Sequence, residues 1–177
     1  MEEKKGGRSF ARVLVPEYLA RWSVRKFEVD SVSGGIRIPP RLELYRLVWQ
    51  LMEKRPVTLS WCGKVVPVDD VAGNLVIQLP CRRGVGGVRK NPLHWNYLSE
   101  RSGRIIGREL KRLFDLDFHS YMDTMPAGVT RKECVRQFCR QYGLGIDAED
   151  TLVKNLQRRR QHVAIFLNVC KNQHKIG

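Results

Sequence analysis

Three short stretches decide how this chain is read: Val57-Thr58-Leu59-Ser60-Trp61, Val65-Val66-Pro67-Val68 and Leu75-Val76-Ile77-Gln78-Leu79. The first alternates apolar and polar residues, all are rich in β-branched side chains, and Gly63 and Gly73-Asn74 punctuate them, so each reads as a strand. Together they predict a small antiparallel sheet over about 56–80. Pro67 has no N–H to give to a ladder and places its strand at an edge.

On both sides of this block the apolar period lengthens to that of a helix. Upstream, Val13-Leu14-Val15-Pro16 is a short apolar run, and Pro16 suits a first helical turn. Leu19, Trp22 and Phe27 then predict a helix over 17–27. Ser33-Gly34-Gly35 breaks the chain, and Ile36-Arg37-Ile38 is a brief extended piece before Pro39-Pro40. Leu44, Tyr45, Val48, Leu51 and Met52 give a helix over 41–54. Downstream, Ser99 is an N-cap for a helix over 100–114. Met125-Pro126-Ala127-Gly128 is a linker, and Thr130 and Glu133 open a capping-box helix that stops at Gly143. The acids Asp147 to Asp150 suit the positive end of a further helix over 149–162. The expected class is α+β, with a small antiparallel sheet, flanking helices and a helical C-terminal module. The expected parts are a flexible tail (1–9), an α+β domain (10–124) and a helical module (129–177).

Charge narrows the functional classes. The 177 residues carry 32 Lys and Arg against 18 Asp and Glu, a net charge of +14. The excess is uneven: 13 bases and 9 acids in residues 1–80, but 19 and 9 in 81–177. Self-repulsion of this size opposes compaction unless a polyanion offsets it, and phosphate backbones do so through counterion release. Anionic membrane surfaces and a merely solvated basic exterior are the competing readings. Five cysteines, with no C-x-x-C pair, argue against a disulfide framework and for a reducing compartment. The start Met-Glu-Glu-Lys-Lys has no apolar signal segment, and the run Val163 to Cys170 is far too short to span a bilayer. The expectation is a cytoplasmic protein without a membrane partner.

Two groups of bases stand out. On the helix after Ser99, Arg101, Arg104, Arg108 and Lys111 (or Arg112) recur at offsets of three and four, opposite Ile105, Ile106, Leu110, Leu113 and Phe114. Such a row can meet successive phosphates; it also reads as a plain solvated face. Before it, Arg82, Arg83, Arg89 and Lys90 lie in a glycine-rich loop followed by His94, Trp95 and Tyr97. The bases attract phosphate and Trp95 could stack on an unpaired base, or the aromatics could belong to the core. The glycines follow neither the Walker A nor the dinucleotide pattern, so no nucleotide cofactor is expected.

Residues 129–160 read as helix, turn, helix, ending in Arg158-Arg159-Arg160, which suit both a helix C-terminus and phosphate. The run Thr130-Arg-Lys-Glu-Cys-Val-Arg-Gln-Phe-Cys-Arg-Gln-Tyr-Gly143, followed by the Leu152 to Arg160 helix, resembles C-terminal helix pairs of small phage and mobile-element regulators, the middle-gene activators of Mu-like phages above all. That resemblance implies helix-turn-helix DNA binding and dimerisation, hence a homodimer as one expected state.

One cluster has a catalytic look. If residues 115–119 were extended, Asp115, Asp117 and His119 would share a face and could hold a divalent cation for phosphodiester hydrolysis. The competing reading is a loop after a helix, whose acids face water or pair with nearby arginines. Cys134 and Cys139 lie five apart with no histidine at zinc-finger spacing, so no structural metal is expected. The leading expectation is a non-enzymatic nucleic-acid-binding regulator, DNA ahead of RNA. A metal-dependent nuclease or recombination component, and an adaptor whose basic face meets an acidic protein, are the alternatives.

Overall fold

The computed structural model describes residues 9–59, 65–67, 73–83, 87–91, 94–126 and 128–157. The elements are β1 (Phe10–Val13), α1 (Glu17–Lys26), β2 (Glu28–Val29), β3 (Ile36–Arg37), α2 (Glu43–Leu51), β4 (Val57–Leu59), β5 (Val65–Pro67), β6 (Leu75–Gln78), α3 (Glu100–Asp123) and α4 (Arg131–Tyr142). Residues 146–157 form a further helix, α5. The class is α+β, as the change of period predicts. The chain divides into two compact units between Leu116 and Asp117, a few residues before the 125–128 linker.

In the first unit the sheet differs from the expected one. Among the described residues β4 and β5 pair only with each other, whereas β6 joins a four-stranded mixed sheet of order β1-β6-β3-β2. β6 runs antiparallel to β1, with Phe10 opposite Gln78 and Val13 opposite Leu75, and parallel to β3, where Ile36 faces Ile77. The reason is burial. Leu75 and Ile77 point inward beside Ala11, Val13 and Ile36. A central position between two strands covers that apolar face far better than a third place in an isolated hairpin. Gly73 makes the placement feasible: a Cβ there would lie 2.6 Å from the Val13 backbone. The edge expected for Pro67 holds, since both strands of a two-stranded ladder are edges.

The helices pack through their apolar stripes. Leu19, Ala20 and Trp22 of α1, Leu44, Val48 and Trp49 of α2, and Ile106, Leu110 and Phe114 of α3 are buried. Trp22 stands edge-on to Phe114 and to Phe27, with centroids 5.6 and 5.9 Å apart. Each such side chain contributes roughly 2 kcal/mol by leaving water. Ser99 caps α3 as expected, its Oγ accepting from the Ser102 N–H at 3.4 Å.

The predicted end of that helix at 114 is too early. α3 continues to Asp123 because its apolar series continues, Phe118 falling four residues after Phe114 and also buried. In the second unit Phe138 of α4 gathers the rings of Phe118, Tyr121 and Tyr142 at 5.1, 5.2 and 4.8 Å. Thr130 caps α4 by accepting from the Glu133 N–H, and Gly143 ends it in the left-handed region at φ 63°. The Leu144 N–H donates to the Cys139 carbonyl at 2.8 Å, closing the turn. α5 begins at residue 146 rather than at 149, so only Gly143-Leu144-Gly145 separate the two helices. Cys134 and Cys139 of α4 are buried, and Cys81 is exposed. Burial, then the Glu149 charge, pushes the Cys139 thiol up to about 11. Among the described residues no helix is long and apolar enough to cross a membrane.

Candidate functional site

The first unit carries a groove of about 590 Å³. One wall is the first half of α3, which contributes Arg101, Arg104, Gly107, Arg108 and Lys111. The other is the segment that leaves β1 and enters α1, with Leu14, Val15, Pro16, Tyr18 and Leu19. All four bases predicted at this row therefore share one concave surface. The alternative fourth member, Arg112, lies outside it and makes a bidentate contact to Glu109 at 2.9 and 2.7 Å. That contact holds the Glu109 carboxyl below its usual value.

Local chemistry shapes both walls. The Asn74 side chain accepts from the Val15 N–H at 3.0 Å and donates to the Val15 carbonyl at 2.8 Å, clamping the connection after β1. Val13 and Val15 face inward, so Leu14 between them faces out and is 70% exposed. On α3, Gly103 and Gly107 stand against Val13 and Val15; Cβ atoms there would fall 3.5 and 3.4 Å from the valine methyls, the distance of ordinary contact. Tyr18 rests edge-on against Phe114 at 5.3 Å. Burial, then the Asp115 charge, pushes its phenol up, so the ring is neutral at physiological pH.

The four cations differ in their partners. Arg104 pairs with Glu100 at 3.2 Å, both side chains 70% exposed, and Lys111 pairs with Asp115. Exposed pairs of this kind are worth under about 1 kcal/mol, so a phosphate can displace them. Arg101 and Arg108 have no carboxylate within 4.0 Å among the described residues.

The loop bases are arranged otherwise. Arg82 and Arg89 face each other across an antiparallel bridge, and with Arg83 they are exposed. Lys90 turns inward. Its Nζ donates to the Trp49 carbonyl at 2.6 Å and the Met52 carbonyl at 3.1 Å, at the C-terminal end of α2. It also lies 4.9 Å from the Trp49 ring centre and 4.4 Å from that of Trp95. Desolvation lowers its pKa. Lys90 and Trp95 are thus joined in a structural contact, Trp95 half-buried beside it.

Asp115, Asp117 and His119 lie on a helix, not an extended segment, so period-two alternation does not bring them together. Lys111 takes Asp115, and the Tyr142 hydroxyl donates to Asp117 Oδ2 at 2.8 Å. Burial, then that hydrogen bond, pushes the tyrosine pKa up. Among the described residues no group of three His, Cys, Asp or Glu could hold a metal ion.

In the second unit, α4 exposes Arg131, Lys132 and Arg140. Arg136 is held by Glu149 at 3.0 Å. The amino end of α5 presents Asp147 and Asp150 beside an 85% exposed Ile146. These acids suit the helix dipole, but they would repel phosphate at the end that a recognition helix directs to DNA. Arg158, Arg159 and Arg160, and the tail 1–8, lie outside the described residues.

Sequence reasoning missed the apolar wall and the Asn74 clamp. The signal for Leu14 was present, since Val13-Leu14-Val15 read at period two sets Leu14 opposite its neighbours. These features define an α+β protein with a cation-edged apolar groove. No protein-family model, curated protein or solved structure matches the chain.

Proposed function

We propose that this protein binds nucleic acid without acting on it, as a DNA-binding regulator of the kind found in phages and mobile elements. The observation that carries the reading is the convergence of Arg101, Arg104, Arg108 and Lys111 on one groove, two of them with no carboxylate partner among the described residues. Guanidinium groups so placed suit bidentate phosphate contacts and release counterions on binding. The exposed Arg82, Arg83 and Arg89 extend the attraction along the same unit. In the second unit it is α4, and not the acidic amino end of α5, that can offer bases to phosphate, through its exposed Arg131, Lys132 and Arg140.

The test is the double variant Arg104→Glu/Arg108→Glu, assayed by fluorescence anisotropy on labelled oligonucleotides. Affinity should fall by about tenfold or more, with a shallower salt dependence and an unchanged circular dichroism spectrum. Unchanged affinity and salt slope would remove α3 from the interface.

A further inference from the structure

We infer that the groove takes unpaired nucleotides, the sugar-phosphate edge lying along the α3 bases and a base lying against Leu14, Pro16 and Tyr18. This rests on the nucleic-acid reading and makes it more specific. The groove's lining surface is largely apolar, with the four α3 bases standing along one side and Leu14, Val15, Pro16, Tyr18 and Leu19 along the other. A duplex offers phosphates on its convex outside and hides its bases, so it would reach the cationic wall and leave the apolar hollow unfilled. A single strand offers charge along one edge and flat apolar surface along the other, which matches both walls at once.

Dimensions agree. Arg101 to Lys111 spans about 15 Å at the helical rise, enough for a short stretch of backbone. The hollow, about 590 Å³, is within the roughly 300–1,000 Å³ of ordinary ligand sites. Leu14 is held outward by the clamp on its neighbour Val15 and is 70% exposed, an apolar contact in need of a partner. Tyr18 lines the same wall, and its aromatic ring adds a flat surface beside Leu14 and Pro16. Glu100 and Asp115 stand at the two ends of the row and disfavour an unbroken polyanion beyond it, which limits the site to a few nucleotides.

The experiment titrates the full chain against labelled oligothymidylate, oligouridylate and mixed-sequence duplex, each about 20 units long, a length chosen to exceed single-domain site sizes. The Leu14→Ala variant runs in parallel, together with an acidic amphipathic peptide as a fourth probe. One or both single strands should bind at least about tenfold tighter than duplex, and Leu14→Ala should weaken them about fivefold while sparing duplex. Oligonucleotides bearing a photoactivatable base should crosslink within residues 14–19, a readout that needs no variant. Duplex binding equal to or tighter than single strands, insensitive to Leu14, would overturn this inference and leave the nucleic-acid reading in place. Binding of no oligonucleotide would overturn both, as would capture of the peptide alone.

Discussion

Lys90 belongs to a run of four bases on a glycine-rich loop, yet its ammonium group closes the end of a helix. Two carbonyls of the α2 terminus accept from it, and two indole rings flank it. A helix end leaves its last carbonyls without intrahelical donors, and a cation there satisfies them and favours the dipole. Lys90→Met keeps the aliphatic stem and removes the donors, so it should cost about 2 kcal/mol in urea unfolding, the range for hydrogen bonds to a charged group. Oligonucleotide affinity should stay within about twofold, because a cation already engaged by two carbonyls contributes little to counterion release. Intact stability with weakened binding would return Lys90 to the interface. Arg101 and Arg108 present the opposite case, bases whose charge the described part of the fold leaves uncompensated. Composition alone cannot separate the two kinds of cation, since the difference lies in what a distant element brings alongside.

At the scale of elements, α4 depends on its two ends. Thr130 supplies a side-chain acceptor at the start, and Gly143 adopts φ 63° at the finish. Thr130→Ala should cost about 1 kcal/mol. Gly143→Ala should cost about 1 kcal/mol, from a Cβ forced into the left-handed region. The two sites lie about 20 Å apart along the helix, so the costs should add in chemical denaturation. A double variant no worse than either single one would mean that these ends do not hold the turn. These caps were legible because their signals are local: Thr130, Glu133 and Gly143 sit within one helix length of the bonds they make. α1 and α2 were legible for the same reason. The far half of α3 was not, since Asp115 and Asp117 look like a stop until Lys111 and Tyr142 are seen to engage them. Phe118, four residues past Phe114, was the available clue. The departure of β6 from its neighbours was hidden because its partners, β1 and β3, pair with it across 41 to 68 residues of chain. The groove was half legible: the cationic wall followed from helical spacing, but the apolar wall comes from residues 14–19, brought there by tertiary packing.

For the molecule as a whole, the question is whether the net charge of +14 acts as a diffuse cloud or through a small number of contacts. Many helical bases are tied locally, as in Arg21 with Glu17, Arg46 with Glu43 and Arg112 with Glu109, three or four residues apart. The same kind of pair ties Arg104 to Glu100 and Lys111 to Asp115 in the groove, so Arg101 and Arg108 are the members of the row without a carboxylate among the described residues. The salt dependence of binding distinguishes the two descriptions, because the slope of log K against log salt counts the phosphates neutralised. Four contacts on a single strand give a slope of about −3, whereas engagement of the full net charge would give about −10. The wild-type chain titrated with oligothymidylate should show the smaller slope. Arg101→Ala/Arg108→Ala should then bring it to about −1.4, since two of four contacts remain. A slope near −10 that the double variant barely moves would show that the polyanion is held by the whole basic exterior, with no privileged role for α3. Long-range attraction would still speed the encounter in that case, but the groove would confer no selectivity between paired and unpaired strands.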